Sequence, residues 1–191
     1  MKRDIILAGV GGQGILSIAA VIGIAAVDSG LHLKQSEVHG MSQRGGAVES
    51  HLRISDRPIY SDLIPEGRCD MILSVEPMEA LRHLPFLSGD GWIVTADKPF
   101  RNIDPYPGEE DLFSEIRKVK NHIILHADRI ASELGSRKVS NMVMVGAASD
   151  HLGLSTDSLE GALEKLFGRK GAEVVRMNAA ALRAGKEAIK S

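Results

Sequence analysis

Cysteine is nearly absent from this chain, since Cys69 is the only one among 191 residues. A single thiol forms neither a disulfide nor a CxxC redox pair, and a four-cysteine iron–sulfur cluster needs more ligands than it offers. A chain with no disulfide is typical of a reducing compartment, so we expect a cytoplasmic protein.

Charge of one sign and long apolar runs are also scarce. The 23 basic and 25 acidic residues give a net charge of -2 and are interspersed, so no basic field predicts nucleic acid or a membrane surface as a partner. The apolar segment 15–27 is shorter than a membrane span. An acid at Asp4 and early glycines are unlike a signal peptide. We expect neither a nucleic-acid nor a membrane partner.

The composition is that of an ordinary globular protein, with 43% hydrophobic and 25% charged residues. The length suffices for one domain with a full core. Neither an internal repeat nor an interdomain linker appears, so we predict a single domain over residues 1–191.

A glycine-rich turn follows the first apolar segment. Residues 4–8 predict a buried strand, and residues 15–27 carry apolar side chains at helical spacing. Between them, the run Gly9–Gly14 matches G-x-G-x-x-G in the strand–turn–helix context that gives this motif meaning. Its first glycine is expected to allow the tight turn, its second the approach of a ligand, and its third close packing of helix on strand. Free N–H groups at the helix start favour a phosphate or carboxylate, although a close-packed turn that binds nothing is the alternative.

A second unusual loop spans residues 38–46 and ends in Gln43-Arg44-Gly45-Gly46. The guanidinium offers paired donors to an anion, and the two glycines let a ligand or partner approach the backbone. In a doubly wound sheet ligands bind beyond the carboxyl ends of the strands, where we expect this loop and the glycine turn to meet. A solvated surface loop is the alternative.

Strand and helix patterns alternate along the rest of the chain. Strands are predicted at 4–8, 32–37, 47–54, 69–74, 92–95 and 122–125, and helices at 15–27, 76–84, 109–118, 127–134, 140–152, 157–167 and 171–188. This alternation predicts an α/β fold with a Rossmann-like, mostly parallel sheet and helices on both faces.

Two finer features are predicted from local signals. Residues 59–61 follow a turn at 56–58 and are expected to pair with strand 47–54 as an antiparallel edge hairpin. Asp157 and Glu160 have the spacing of a capping box, which would start the helix there.

No self-contained catalytic machinery is evident. The seven histidines share no metal-ligand spacing, and the sequence has no nucleophile elbow, HExxH motif or P-loop lysine. We therefore predict no catalytic residue and no metal ligand in this chain.

The residues by themselves leave several kinds of protein open. Glu37 follows the turn by about 20 residues, where a dinucleotide-binding fold places its ribose-binding acid. This keeps open a stand-alone NAD(P)- or FAD-binding Rossmann oxidoreductase, although an ordinary charge at a strand end explains Glu37 as well. An adenylating enzyme of the ubiquitin-activating type and a non-catalytic nucleotide-binding module also stay open.

Taken together, these motifs resemble those of the gamma-type subunit of 2-oxoacid:ferredoxin oxidoreductases. The similarity covers nearly the whole chain and lies in segments 10–14, 37–46, 48–54, 76–81 and 140–143. The loop form His-Gly-Met-Ser-Gln-Arg-Gly-Gly is most similar to that of the indolepyruvate ferredoxin oxidoreductase beta subunits.

The resemblance implies a subunit of a larger enzyme that oxidatively decarboxylates a 2-oxoacid and joins the acyl group to coenzyme A. The large catalytic subunit would bind thiamine diphosphate and magnesium, and iron–sulfur clusters would carry electrons to ferredoxin. The chain itself, a single domain like catalytic domain III of that family, would assist coenzyme A access and closure over the thiamine site. Alone it would be inactive and would self-associate.

The resemblance and the two glycine motifs together define the candidate cofactor-binding residues. They are Gly9, Gly11, Gly12, Gln13, Gly14, Gln43, Arg44, Gly45 and Gly46. Arg44 is expected either to clamp a phosphate of coenzyme A or to pair with a carboxylate of the partner subunit.

Overall fold

The structure is a computed structural model that describes residues 1–40, 45–101 and 103–190. The predictions made for Gln43 and Arg44 lie outside the described residues.

Within the described residues, six strands form one sheet and seven α-helices pack on it. The strands are β1 (Lys2–Val10), β2 (His32–His39), β3 (Ala47–Ser55), β4 (Cys69–Ser74), β5 (Leu87–Ala96) and β6 (Asn121–Leu125). The helices are α1 (Ile15–Asp28), α2 (Pro77–Arg82), α3 (Glu109–Arg117), α4 (Ala127–Glu133), α5 (Ser140–Leu152), α6 (Thr156–Phe167) and α7 (Ala172–Ala188). None of the helices in these ranges combines the length and apolar character that crossing a bilayer requires.

The strand order is β2-β3-β1-β4-β5-β6. Strands β1, β4, β5 and β6 are mutually parallel, whereas β3 is antiparallel to both of its neighbours. The register aligns Leu7 of β1 with Ser50 of β3 on one side and with Leu73 of β4 on the other. The α/β fold with an antiparallel pair in a mostly parallel sheet is therefore confirmed.

The predicted location of the hairpin is wrong. Strand β3 pairs with β2 on one edge and with β1 on the other, so it has no free edge for residues 59–61. Instead, the segment after β3 lies across the sheet face. Arg53 Nη1 donates hydrogen bonds of 3.0 Å to the carbonyl oxygens of Ser61 and Leu63. His51 Nδ1 accepts a hydrogen bond of 2.9 Å from the amide of Ile64.

Helices cover both faces of the sheet, as predicted. Ile5 and Leu7 of β1 belong to an apolar cluster with α1 and α4–α7, whereas Ile6 packs with α2 and α3 on the other face. All three side chains have 0% exposure. Burial on both faces explains why β1 is a continuous apolar run rather than an alternating one.

The helix ends match the sequence in part. Gly153 ends α5 in the left-handed conformation, with φ 71°, as expected of a C-terminal glycine. The prediction of a capping box at Asp157 is wrong, because Ser155 is the residue that caps α6. Its hydroxyl oxygen accepts a hydrogen bond of 3.0 Å from the amide of Ser158. Asp157 lies in the first turn of α6, where its negative charge interacts favourably with the positive end of the helix dipole.

Candidate functional site

The glycine turn lies at the point where the chain changes faces of the sheet. Neighbouring strands β1 and β4 end side by side, but the helices that follow them, α1 and α2, pack on opposite faces. Such a switch point leaves a crevice beyond the carboxyl ends of the strands, which is where open α/β sheets bind ligands.

The glycines of the turn have different structural roles from those predicted. A β carbon at Gly9 would lie 2.5 Å from Val75 Cγ2 and 2.7 Å from Ile15 Cδ1, so Gly9 is the glycine that permits close packing of helix on strand. The tight turn instead relies on Gly12 and Gly14, whose φ angles of 98° and 79° are left-handed.

Gln13 holds the turn together. Its backbone amide donates a hydrogen bond of 3.0 Å to the carbonyl oxygen of Val10. Its side-chain Oε1 accepts a hydrogen bond of 2.7 Å from the backbone amide of Val10. The glutamine side chain therefore closes the turn onto the end of β1 and fixes the turn's backbone before any ligand arrives.

The described end of the second loop is joined to this turn. Gly11 N donates to the carbonyl oxygen of Gly46 over 2.8 Å, and Gly45 N donates to the carbonyl oxygen of Gly11 over 3.4 Å. The contact follows from topology, because β3 runs antiparallel to β1 and so begins where β1 ends. The expected meeting of the two glycine motifs is thus present in the described residues.

Asn141 is a site residue to which the sequence assigned no role. It lies in the first turn of α5, and its Nδ2 donates to the carbonyl oxygens of Gln13 over 2.9 Å and Gly14 over 3.1 Å. A β carbon at Gly14 would lie 2.5 Å from this Nδ2. The third glycine of the motif therefore makes room for α5 rather than for β1. Only the resemblance singled out the segment around Asn141.

Two cavities flank the Gln13–Asn141 contact. The smaller, of about 240 Å³, is the switch-point crevice between Val75 and Ala96, and is also lined by Lys98 and Phe100. The larger, of about 770 Å³, lies between the glycine turn and the first turns of α5 and α7. We call it the basic cavity, because its lining includes Arg137, Lys138 and Lys170.

The basic cavity favours an anion. The first turn of α1 contains no acidic residue and no side chain caps it within the described residues, so its N–H groups carry the partial positive charge of a helix N-terminus. Glu173 is the acid in the lining, and it forms an ion pair with Arg176. Convergent cations and helix N–H groups are the usual components of phosphate sites.

A buried carboxylate organises the far wall of the crevice. Glu76 has 0% exposure, its Oε2 accepts the amide of Glu79 over 2.7 Å, and its Oε1 accepts the amide of Phe100 over 3.2 Å and the hydroxyl of Tyr106. Burial, followed by the hydrogen bond to Glu76, raises the pKa of Tyr106 well above its usual value. This network anchors the segment that carries Lys98 and Phe100 over the crevice.

The dinucleotide role considered for Glu37 does not fit the geometry. Strand β3 separates β2 from β1, so Glu37 lies two strand spacings, about 10 Å, from the strand that leads into the turn. Glu37 instead forms an ion pair with His39. Among the described residues, no group of three or more His, Cys, Asp or Glu side chains is arranged to hold a metal ion.

The fold and the site together define an α/β domain with a basic cavity beside its switch-point crevice. Comparison with known proteins specifies the family. The family model described as "Pyruvate ferredoxin/flavodoxin oxidoreductase" matches residues 4–188, so the chain belongs to this family. It is a subunit of a 2-oxoacid:ferredoxin oxidoreductase.

Similar proteins of known name agree with this assignment. The indolepyruvate oxidoreductase subunit IorB of Archaeoglobus fulgidus is 35% identical over 97% of this chain and 94% of its own length. That of Methanothermobacter thermautotrophicus is 33% identical over 97% and 96%. The chain is therefore neither a stand-alone Rossmann oxidoreductase nor an adenylating enzyme, and its family is one of oxidoreductase subunits rather than of isolated nucleotide-binding modules.

Solved structures share the fold. A 2-oxoglutarate:ferredoxin oxidoreductase from Magnetococcus marinus, with 2-oxoglutarate, coenzyme A and succinyl-CoA bound, superposes with a TM-score of 0.79 at 25% identity. The match covers 99% of this chain but only 31% of that longer chain. The pyruvate oxidoreductase subunit PORC of Thermotoga maritima, at 23% identity and a TM-score of 0.73, is covered over 96% of its length.

Proposed function

We propose that the chain is the small subunit of a cytoplasmic oxidoreductase for indolepyruvate or a related aryl pyruvate, and that it binds the phosphates of coenzyme A. The large catalytic subunit supplies thiamine diphosphate, magnesium and the iron–sulfur clusters, and ferredoxin accepts the electrons from the complex. The names of the indolepyruvate relatives support the substrate class, and the coenzyme A bound in the 2-oxoglutarate enzyme supports the co-substrate.

The basic cavity is the observation that carries this proposal. Coenzyme A has a pyrophosphate and a ribose phosphate, and the cavity combines Arg137, Lys138 and Lys170 with the N–H groups of the glycine turn. Its volume of about 770 Å³ lies within the range of sites for ligands of this class. The acyl-accepting thiol then reaches toward the catalytic subunit.

The candidate residues divide by role in this proposal. Gly12, Gln13 and Gly14 line the cavity. Gly12 and Gly14 offer their backbone amides to a phosphate, and Gln13 fixes the turn through its hydrogen bonds to Val10. Gly9 keeps the turn close to the sheet, and Gly11 with its contacts to Gly45 and Gly46 joins the turn to the loop. Roles for Gln43 and Arg44 stay predictions from the sequence.

The test uses the enzyme assembled with its large subunit. Lys138→Ala and Lys170→Ala should each raise the KM for coenzyme A about tenfold, because a charge-assisted phosphate contact contributes about 1.5 kcal/mol or more. The KM for the 2-oxoacid should change little. Lys120→Ala is the matched control, because Lys120 lies beside Asp90, away from both cavities, with a side chain 78% exposed.

An unchanged KM for coenzyme A in both cavity variants would remove the proposed site. The substrate class is tested separately by comparing indolepyruvate, phenylpyruvate, pyruvate and 2-oxoglutarate as substrates of the same complex. Faster turnover of pyruvate than of either aryl pyruvate would contradict that part of the proposal. The isolated chain should reduce no ferredoxin with any of them.

A further inference from the structure

The wall that α7 contributes to the basic cavity changes in character with depth. Lys170, just before the helix, is exposed. Val174 and Met177 are half-buried, and Asn178 has only 6% of its surface exposed. All four residues line the cavity. From the mouth to the floor, this wall therefore presents a cation, then apolar side chains, and finally one buried amide.

The amide of Asn178 has a fixed orientation. Its Nδ2 donates a hydrogen bond of 2.7 Å to the carbonyl oxygen of Val174. Because a carbonyl oxygen only accepts hydrogen bonds, the amide nitrogen must face Val174, and Oδ1 must point the other way. The side-chain oxygen of Asn178 is therefore directed away from the backbone of its own helix.

This oxygen is an acceptor without a donor. Among the described residues, Asn178 Oδ1 has no hydrogen-bond partner. It is not enclosed by protein either, because in the same ranges the oxygens of Glu79 are the only fully enclosed side-chain atoms that lack a partner. Since Asn178 lines the basic cavity, its Oδ1 is open to the floor of that cavity.

The surroundings of Asn178 define what the floor can bind. A buried carbonyl oxygen that a ligand leaves without a donor weakens binding, so the ligand must bring an N–H or O–H group. Phosphates bring mainly acceptor oxygens and therefore belong at the mouth. Phe167, Val174 and Met177 line the same cavity, and aromatic and thioether side chains favour contact with a flat ring. The floor therefore fits a heterocyclic ring that carries an N–H group.

We infer that the floor of the basic cavity binds the adenine ring of coenzyme A, whose 6-amino group donates to Asn178 Oδ1. The inference rests on the proposed function, in which the cations of this cavity hold the phosphates. Lys170 Nζ lies 5.3 Å from the centre of the Phe167 ring, so a cation and an aromatic wall are adjacent. Phosphate and base are adjacent in the same way in a nucleotide, where a single ribose joins them.

The pantetheine arm of coenzyme A also carries N–H groups, but it does not suit this floor. The arm must leave the cavity, because its thiol accepts the acyl group at the catalytic subunit. The floor is the deepest part of the α7 wall, and Asn178 is buried there. The base is the part of the coenzyme that can stay enclosed while the thiol reaches out.

Asn178 is therefore a specificity-determining residue for the base. Hypoxanthine differs from adenine by carrying an oxygen in place of the 6-amino group. That oxygen would face Asn178 Oδ1, so two acceptors would meet without a proton between them. A site built around a hydrogen bond rejects an analogue that cannot form it.

The test compares coenzyme A with deaminated coenzyme A, in which hypoxanthine replaces adenine, as substrates of the assembled enzyme. The KM for the deaminated form should be ten- to hundredfold higher, roughly the effect of one lost hydrogen bond and an unpaired acceptor. Asn178→Leu should raise the KM for coenzyme A and bring the ratio of the two KM values close to one. Lys138→Ala is the matched control, because loss of a phosphate contact should raise both KM values alike and leave their ratio unchanged.

A second variant guards against a folding defect in Asn178→Leu. In Asn178→Ser the hydroxyl can still donate to the carbonyl oxygen of Val174, as serine commonly does within helices, but it is too short to reach the base. This variant should therefore keep the fold and also lose the discrimination between the two coenzymes. Urea unfolding of both variants shows whether each is folded.

Two outcomes would overturn the inference while leaving the proposed function intact. These are equal KM values for the two coenzymes in the unmodified enzyme, and discrimination that persists in the folded Asn178 variants, each with Lys138→Ala and Lys170→Ala still raising the KM for coenzyme A. If the lysine variants leave that KM unchanged, the phosphate site fails and the base site fails with it. The response of the lysine variants thus separates failure of the inference from failure of the proposed function.

Discussion

Gly146 of α5 packs directly on the backbone carbonyl of Leu182 in α7. A β carbon at Gly146 would lie well inside 3.0 Å of that oxygen, and a β carbon at Gly185 would lie equally close to the carbonyl oxygen of Val143. The two helices thus cross at their backbones through reciprocal glycines. Because α5 and α7 both line the basic cavity, this crossing also fixes the cavity's shape.

Gly146→Ala should therefore destabilise the fold by about 2–3 kcal/mol or more, since the added methyl group meets rigid backbone rather than a flexible side chain. Gly161→Ala is the matched control, because Gly161 lies within helix α6 with nothing inside 4 Å of its β position. That substitution should stabilise the protein by up to about 1 kcal/mol. Urea unfolding of both variants measures the difference, and equal midpoints would contradict the close crossing.

Asn141→Ala should weaken coenzyme A binding without abolishing activity. The amide of Asn141 holds the carbonyl oxygens of Gln13 and Gly14, and each lost hydrogen bond contributes about 1 kcal/mol to the fixed turn. We expect the KM for coenzyme A to rise about fivefold in the assembled enzyme, with a smaller change in kcat.

Asn121→Ala is the comparison variant, because it removes a similar hydrogen bond from asparagine to a carbonyl oxygen elsewhere in the fold. Asn121 Nδ2 donates to the carbonyl oxygen of Asp90 over 3.1 Å at the opposite end of the strands. Its replacement should lower stability without moving the KM for coenzyme A. If both variants shift that KM alike, Asn141 affects only stability.

Much of the fold was predictable because local signals agree with the tertiary structure. The continuous apolar run of β1 and the helical spacing in α1 report burial directly. The insertion of β3 between β1 and β2 was not predictable, because strand pairing depends on contacts between segments rather than on any one segment. The alternation in residues 47–54 correctly indicated a strand but carried no information about its neighbours.

The candidate site was predictable to the same extent. Its glycines are local in sequence and were found by motif, whereas the partition of their roles depends on Val75 and Asn141, which lie far along the chain. The cations Arg137, Lys138 and Lys170 come from two helix starts that only folding brings together. Their types and spacing are ordinary for surface residues, so no sequence pattern marks them as a site.

The burial of the Glu79 carboxyl group should lower folding stability in a way that depends on pH. Its exposure is 1%, and neither side-chain oxygen has a hydrogen-bond partner in the described residues, although Arg82 Nε lies 3.1 Å from Oε1. Burial raises the pKa of Glu79 above its ordinary value. Between the ordinary and the raised pKa the folded protein holds a proton that the unfolded chain has lost, so stability falls as pH rises through that window.

Glu79→Gln should remove this pH dependence. The variant should gain stability relative to the unmodified protein at neutral pH, and the gain should shrink as pH falls from the raised pKa of Glu79 to the ordinary carboxyl pKa. Denaturant unfolding at several pH values measures it. A variant that is less stable at neutral pH would indicate instead that the ionised Glu79 and Arg82 stabilise the fold as a pair.

The single tryptophan reports the titration of a histidine at the other end of the sheet. Trp92 and His151 are stacked, with ring centroids 3.9 Å apart and an angle of 25° between the rings. Burial lowers the pKa of His151 below its ordinary value, an effect that Asp150 opposes and Arg3 reinforces. Because a protonated imidazole quenches a stacked indole, Trp92 fluorescence should fall as pH decreases through the lowered pKa.

Protonation of His151 should also lower the stability of the folded protein. As pH falls below the ordinary histidine pKa of about 6.5, the unfolded chain binds the proton before the folded protein does, so the free energy of unfolding decreases. His151→Phe keeps an aromatic ring against Trp92 but cannot titrate, so it should abolish the fluorescence transition and part of the loss in stability. His83 is a second histidine whose pKa is lowered by burial, and His83→Gln should reduce the loss in stability while leaving the fluorescence transition intact. A fluorescence transition that persists in His151→Phe would exclude His151 as its source.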